Sequence, residues 1–327
     1  VSSLTTAIQD FLDSVLPKAH ATPEIAALYS MMRDYPWRGG KMIRSKILIA
    51  SCVAHGGSFE KALPLAAGLE MFQNWVLIHD DIEDDSDERR GQPALHRIHG
   101  MPLALNTGDA LHVYMWQVVH QAAVPQAFET FLTMIHRTAE GQHIDLSWVQ
   151  NKRWDMGVKD YLQLVRLKTA FYTVVAPLQL GALAAGVEPD AGLLEAGLDL
   201  GIAFQIRDDV LNLTASFADY GKEIAGDILE GKRTLMLIRL LDVAVPLERS
   251  EIVVILEQPR ESKTKEQVKF ILDLMKKYDC IQYAQEIADK YAKGGLAQLE
   301  VSLQTAPNRQ AVTEILETAR TLAIRHA

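Results

Sequence analysis

The sequence predicts an all-α fold: one domain across residues 1–327, built as a single large helical bundle around a central cavity. Three observations carry this. Strict apolar–polar alternation is scarce, whereas apolar residues recur at three- and four-residue spacing almost throughout. Of the 327 residues, 48% are hydrophobic, enough for a sizeable interior, and no internal repeat, low-complexity linker or composition break divides the chain. Several of the predicted helices are apolar on more than one face, as central helices of a bundle are.

Taken in order, residues 42–55 (MIRSKILIASCVAH) read as a helix stopped by Gly56-Gly57. Residues 59–84 form one long helix, 106–124 a second and 125–149 a third, and 159–186 continue the pattern with a bend expected at Pro177. Helices over 191–213, 232–243, 247–258, 264–278, 279–303 and 308–325 complete the set, with loops at 85–100, 150–158 and 214–231.

The totals also exclude function classes. A formal net charge of −9 argues against a nucleic-acid binder, which carries a basic stripe. Cys52 and Cys280 stand far apart, outside any CxxC pattern, so neither a disulfide framework nor a zinc site is expected. The first residues lack a basic start and a long apolar run, and no apolar stretch reaches the ~18 residues of a membrane helix. The expectation is a soluble, cytoplasmic protein without a transmembrane segment.

Seven acidic residues crowd Asp80–Glu88, at the end of an apolar helix, and Arg89-Arg90 follow at once. Residues four apart share a helix face, so Asp80 and Asp84 point the same way, with Asp81 to one side and Gln73 on the same face two turns earlier. Like charges at this spacing cost a helix about 0.2–0.5 kcal/mol per pair. A charge run is most often a solvated helix end; the sharper reading is a site for a hard divalent cation. A second patch favours the sharper reading. In FQIRDDVLN at 204–212, Gln205, Asp208 and Asn212 share a face and Asp209 sits beside them, with apolar flanks that would make an unpaired carboxylate expensive. A cation shared between the two patches removes both difficulties. Magnesium suits few carboxylates, retained water and substrate phosphate, and neither patch has the histidines zinc favours. Basic residues recur in RGGKMIR (38–44), RR (89–90), LKT (167–169) and YGKEIAGDILEGKRT (220–234). Lys41 and Arg44 are expected on one face of a helix start after two glycines, where free N–H groups bind phosphate.

With these residues assembled, the sequence resembles the trans-isoprenyl diphosphate synthases over about residues 37–240, which implies the isoprenoid synthase-like all-α fold. The resemblance rests on DDIED at 80–84 followed by RRG at 89–91, GQPALH at 91–96, GDAL at 108–111, GQ..DL at 141–146, GGKMIR at 39–44, Lys168-Thr169, FQIRDDVLN, and the stretch from Gly221-Lys222 through Asp227 to Gly231-Lys232. It implies that Asp80, Asp81 and Asp84, with Asp208, Asp209 and Asn212, hold magnesium, three ions per site, against an allylic diphosphate. It surrounds that substrate with Arg89, Lys168, Thr169, Gln205, Lys222 and Lys232, of which Lys168, Thr169 and Gln205 serve catalysis. It gives the isopentenyl diphosphate site to Lys41, Arg44, Gln73 and Arg90, and implies a homodimer. Two positions depart from the family pattern: Gln73 stands where a His is common, and Asn212 replaces the last Asp of the second motif, retaining an acceptor but no charge.

The implied reaction is a head-to-tail condensation. The allylic diphosphate loses pyrophosphate to leave an allylic cation, the double bond of isopentenyl diphosphate attacks it, and a proton is lost. Val76 shares the carboxylate face of the preceding helix, the resemblance puts Trp75 at the floor of the product tunnel, and Phe72 is a deeper candidate stopper. Farnesyl or geranylgeranyl diphosphate is the expected product. The alternatives are a longer-chain polyprenyl diphosphate synthase, a class I terpene cyclase, and a non-catalytic partner subunit. GGKMIR and Lys168-Thr169 count against a cyclase, which lacks the second diphosphate substrate they serve.

Overall fold

The computed structural model describes residues 3–214 and 225–323 of the chain. Helices dominate. In chain order they are α1 (Leu4–Val15), α2 (Pro23–Trp37), α3 (Ile43–Ala54), α4 (Phe59–Glu83), α5 (Leu95–His99), α6 (Met101–Gln121), α7 (Pro125–Gln150) and α8 (Val158–Val165). A π-helix, Arg166–Val175, leads into α9 (Ala176–Ala184), and α10 (Ala191–Thr214) follows. After these come α11 (Gly226–Glu230), α12 (Leu235–Val243), α13 (Pro246–Leu256), the 3-10 turn Arg260–Ser262, α14 (Lys265–Lys277), α15 (Cys280–Ser302) and α16 (Arg309–Ala323). None of the helices among the described residues is long and apolar enough to cross a membrane.

The chain divides into two compact units. The first holds Val1–Thr133, Ala176–Leu193 and Ser302–Thr318. Here α4 packs on α3 and α6, and α3 packs on α9. Along α4 the run from Leu65 to Asn74 is buried on all sides, which is why the helix is apolar all round. The second unit holds Met134–Val175, Leu194–Val301 and Ala319–Ala327. Its core gathers Tyr161, Ile202, Ile206, Leu240, Ile252, Ile271 and Ala284.

The expected helices are present, and their ends differ where local chemistry decides. Met101–Gln121 begins five residues before the expected 106, because Pro102 is tolerated in a first turn where its missing N–H costs nothing. Leu235–Val243 begins after the expected 232, because Thr234 caps it by accepting from Leu237 N. That leaves Lys232 outside the helix. Lys41 was likewise expected on a helix face. The structure corrects this: the helix opens at Ile43 with Met42 as its left-handed cap (φ 46), so Lys41 precedes it and only Arg44 lies in its first turn. Near Pro177 the winding changes before the proline, where the π-helix ends at Val175. The expected loop 85–100 contains structure: strands Glu88–Arg89 and Gln92–Pro93 pair antiparallel, with Arg89 opposite Gln92. The two turn residues, Arg90 (φ 56) and Gly91 (φ 73), both take the left-handed region that a two-residue hairpin requires.

Candidate active site

In the first unit the site is built on the C-terminal half of α4. Asp80 and Asp84 stand one turn apart; Asp84 closes the helix, its N–H donating to Asp80 O at 2.8 Å. Asp81 has a different place from the metal-ligand role expected of it. It is fully buried, its Oδ2 accepting from Tyr35 Oη at 2.6 Å and its carboxylate forked by Arg89 Nε and Nη2. Its lone pairs are spent on these donors, so it anchors Arg89 instead of facing a cation. Burial works against the charge of Arg89, but Asp81, and then Asp80, hold the guanidinium protonated well above its ordinary range. Tyr35 comes from α2, which sequence reasoning did not identify, and no pattern in the sequence marks it.

The hairpin turn sends Arg90 the other way. Its Nη1 donates to Tyr35 O at 2.7 Å and to Asn74 Oδ1 at 3.3 Å. The Arg90 guanidinium is pulled below its usual range by burial and by the repulsion of Arg89, Arg44 and Arg38, which the buried Glu70 opposes. Guanidiniums gathered in this way suit a bidentate phosphate ligand. Gln73, next to Asn74 on α4, is buried, and its Oε1 accepts no hydrogen bond among the described residues. One helix thus carries Gln73 and, seven residues or about 10 Å further on, Asp80.

Beneath the carboxylates lies an aromatic block. Trp75 stacks on His112 (centroids 3.9 Å, planes 11° apart) and meets Phe72 edge-on at 5.6 Å. Trp116 Nε1 donates to His112 Nε2 at 2.8 Å. Phe72 is fully buried, while Val76 is half-buried. A Cβ on Gly108 of the GDAL segment would fall 2.3 Å from His79 Nε2 and 3.2 Å from Trp75 Cδ1, so the glycine is what lets these rings lie between α4 and α6.

The second unit gathers a separate cluster. Gly201 brings α10 against the π-helix, where a Cβ would fall 2.4 Å from Ala170 Cα. The neighbouring side chains then form a chain of hydrogen bonds. Thr169 Oγ1 donates to Gln205 Oε1 (2.8 Å), Gln205 Nε2 to Asp209 Oδ1 (2.7 Å), and Tyr161 Oη to Asp209 Oδ2 (2.7 Å). Burial pushes the Asp209 carboxyl up to about 7, against the lowering effect of its bonds to Gln205 and Tyr161. Like Asp81, Asp209 therefore serves as a buried anchor, while Asp208 beside it is partly exposed. Lys168 reaches Asp145 at 2.5 Å. Gly141, one turn before Asp145, makes this possible, since a Cβ there would fall 2.3 Å from Lys168 N. The GQ..DL segment is thereby explained, and Asp145 is a site residue to which sequence reasoning gave no role. Asn212 accepts from Asp227 N through Oδ1 at 3.2 Å, tying α10 to α11. Lys232 pairs with Glu230 at 2.8 Å. Lys222 lies outside the described residues.

Among the described residues no three His, Cys, Asp or Glu side chains converge into a ready-made metal cage. Within the first unit Asp80 and Asp84 stand one turn apart on α4, and within the second Asp208 is partly exposed. Such sparse carboxylates fit magnesium, which takes one or two of them and completes its shell with water and phosphate oxygens.

Residues 25–309 match the Polyprenyl synthetase family. The chain is 35% identical over 291 residues to a geranylgeranyl diphosphate synthase of Sulfolobus acidocaldarius, covering 86% of each chain. It is 36% identical over 213 residues to a geranylfarnesyl diphosphate synthase of Aeropyrum pernix, covering 61% of this chain and 66% of that one. Among solved structures it resembles a geranylgeranyl pyrophosphate synthase from Corynebacterium glutamicum complexed with isoprenyl diphosphate and magnesium, with TM-score 0.88, 27% identity and coverage of 99% and 98%.

Proposed function

Because the chain belongs to the polyprenyl synthetase family, we propose that it condenses isopentenyl diphosphate with an allylic diphosphate, and that its product is of the geranylgeranyl class. The observation that carries this reading is α4 itself. On one helix, Gln73, next to the Asn74 that accepts from Arg90, precedes a carboxylate pair at Asp80 and Asp84 by two turns, which suits two diphosphates of different coordination. The family match runs without a break through both units, which supports their acting as one domain.

In this proposal Lys41, Arg44, Arg90 and Gln73 bind the diphosphate of isopentenyl diphosphate, Gln73 donating through its amide NH2 where a His is common. Asp80, Asp84 and Asp208 hold divalent cations, magnesium and three per site, against the allylic diphosphate. Magnesium bound there would supply charge neutralisation for the leaving pyrophosphate; the allylic C–O bond breaks and its electron pair leaves with oxygen. Arg89, Lys168 and Lys232 share that task, and Lys222 joins them by resemblance. Thr169 and Gln205 turn oxygens toward the developing allylic cation, and the place of Thr169 in the π-helix, a winding frequent at functional sites, supports this use. The double bond of isopentenyl diphosphate then forms the new C–C bond, and the departing pyrophosphate takes the proton released.

Growth stops where Trp75 and Phe72 close the space below Asp80, with His112 locking the indole in place. Met101, Leu105 and Val113, spaced along one face of α6, are exposed apolar residues, as are Phe128 and Leu132 on α7; this supports a homodimer. The test is a product assay. The purified chain receives labelled isopentenyl diphosphate, primers of each length and magnesium, and the dephosphorylated alcohols are separated. Geranylgeraniol is expected. Absence of any magnesium-dependent prenyl product from the chain alone overturns the proposal and favours a non-catalytic partner subunit.

A further inference from the structure

Glu230 ends the short helix Gly226–Glu230, and Gly231 follows in the left-handed region (φ 70). That turn folds the chain back so that Lys232 Nζ lies 2.8 Å from Glu230 Oε2. The other oxygen, Oε1, accepts from Arg260 Nη1, also at 2.8 Å. Arg260 comes from the 3-10 turn Arg260–Ser262 and belongs to none of the motifs. The three side chains are largely withdrawn from water: 16% of Glu230, 20% of Arg260 and 23% of Lys232 remain exposed. The local backbone is pinned as well, with Lys232 N donating to Asp227 O at 2.8 Å and Lys263 Nζ donating to Leu229 O at 2.7 Å.

We infer that Glu230 and Arg260 are positioning residues that set how readily Lys232 is given to the allylic diphosphate; this rests on reading Lys232 as a ligand of that substrate. An ammonium held by a full carboxylate is partly withheld from phosphate. A guanidinium on the opposite oxygen of that carboxylate draws off part of its charge and loosens its hold on the lysine. When Lys232 turns to the diphosphate, Arg260 stays, so Glu230 is not left as an unpaired, mostly buried anion, a state that would resist the transfer. Glu230 thus keeps Lys232 in place while no substrate is bound, and Arg260 eases its release.

The arrangement predicts opposite signs for two single variants, which simple structural damage would not give. Glu230→Gln releases Lys232, and KM for the allylic diphosphate falls about two- to fivefold, the range of one partly exposed ion pair. Arg260→Gln tightens Glu230 on Lys232, and the same KM rises by a similar factor, while Arg260→Lys restores it. The double variant behaves as Glu230→Gln, because Arg260 acts through Glu230. KM for isopentenyl diphosphate stays unchanged throughout, and circular dichroism confirms that each variant folds. Lys232→Ala separates the two levels of inference. If it leaves the allylic KM unaltered, the reading of Lys232 as a ligand fails. If it raises that KM while the Glu230 and Arg260 variants shift it in one direction or not at all, the positioning role is overturned and the ligand reading stands.

Discussion

Tyr35 Oη lies 2.6 Å from Asp81 Oδ2 and accepts from Leu95 N at 3.0 Å, so one phenol fastens the carboxylate that forks Arg89. The same residue's carbonyl accepts from Arg90. A single side chain and its own backbone therefore hold both arginines of the hairpin. Tyr35→Phe removes a buried bond to a charged group and is expected to cost about 1.5–3 kcal/mol of stability in urea unfolding. The allylic KM rises with it through Arg89, while KM for isopentenyl diphosphate holds, because the carbonyl bond to Arg90 remains. Equal rises in both constants would contradict the separate anchoring of the two arginines.

Trp75→Ala opens space against Phe72 and His112. Products lengthen by one or more five-carbon units in the alcohol chromatogram. An unchanged product spectrum removes Trp75 as the stopper.

Acidification should loosen the same block. Trp116 Nε1 can only donate, so His112 Nε2 accepts and its ring is the neutral tautomer, protonated at Nδ1 alone. Burial depresses the His112 pKa below 6.5, His79 lowers it further, and Asp109 opposes them. A base with a depressed folded pKa contributes stability present above its unfolded value and lost as pH falls through the folded value. The melting temperature is therefore expected to drop below pH 6.5 more steeply in the parent than in His112→Gln, which cannot titrate. Parallel pH profiles would show that His112 does not carry the effect.

Removal of divalent cations tests the carboxylates. Chelation with EDTA should abolish pyrophosphate release, and magnesium should restore it. Asp80→Asn or Asp208→Asn should raise the magnesium concentration for half-activity by about tenfold or more, since each loses a charged oxygen ligand. Asp81→Asn acts otherwise: it frees Arg89 and destabilises the fold, with a smaller change in magnesium demand.

Asn212→Asp restores the charge found in the family pattern while keeping the oxygen that accepts from Asp227 N. Magnesium half-saturation should fall, whereas without magnesium the fold should lose about 1–3 kcal/mol, because Asn212 is buried and a carboxylate there adds charge beside Asp208 and Asp209. A loss of folding would show that the position serves the α10–α11 connection alone.

The sequence by itself determined the all-α class, the long helices and the identity of the charged motifs, because helix periodicity, caps and the carboxylate spacing of Asp80 and Asp84 are local properties of the chain. It also marked Gly108 and Gly141 within recognisable segments, without saying what each glycine admits. Only the tertiary structure decided which acid meets which base. Asp81 and Asp84 look alike in the sequence, yet one is buried under Tyr35 and Arg89 and the other closes a helix. Asp145 meets Lys168 across 23 residues, and Glu230 meets Arg260 across 30. Such pairings depend on which helix backbones approach closely enough for a short side chain to reach, and that distance is set by packing between segments far apart in the chain.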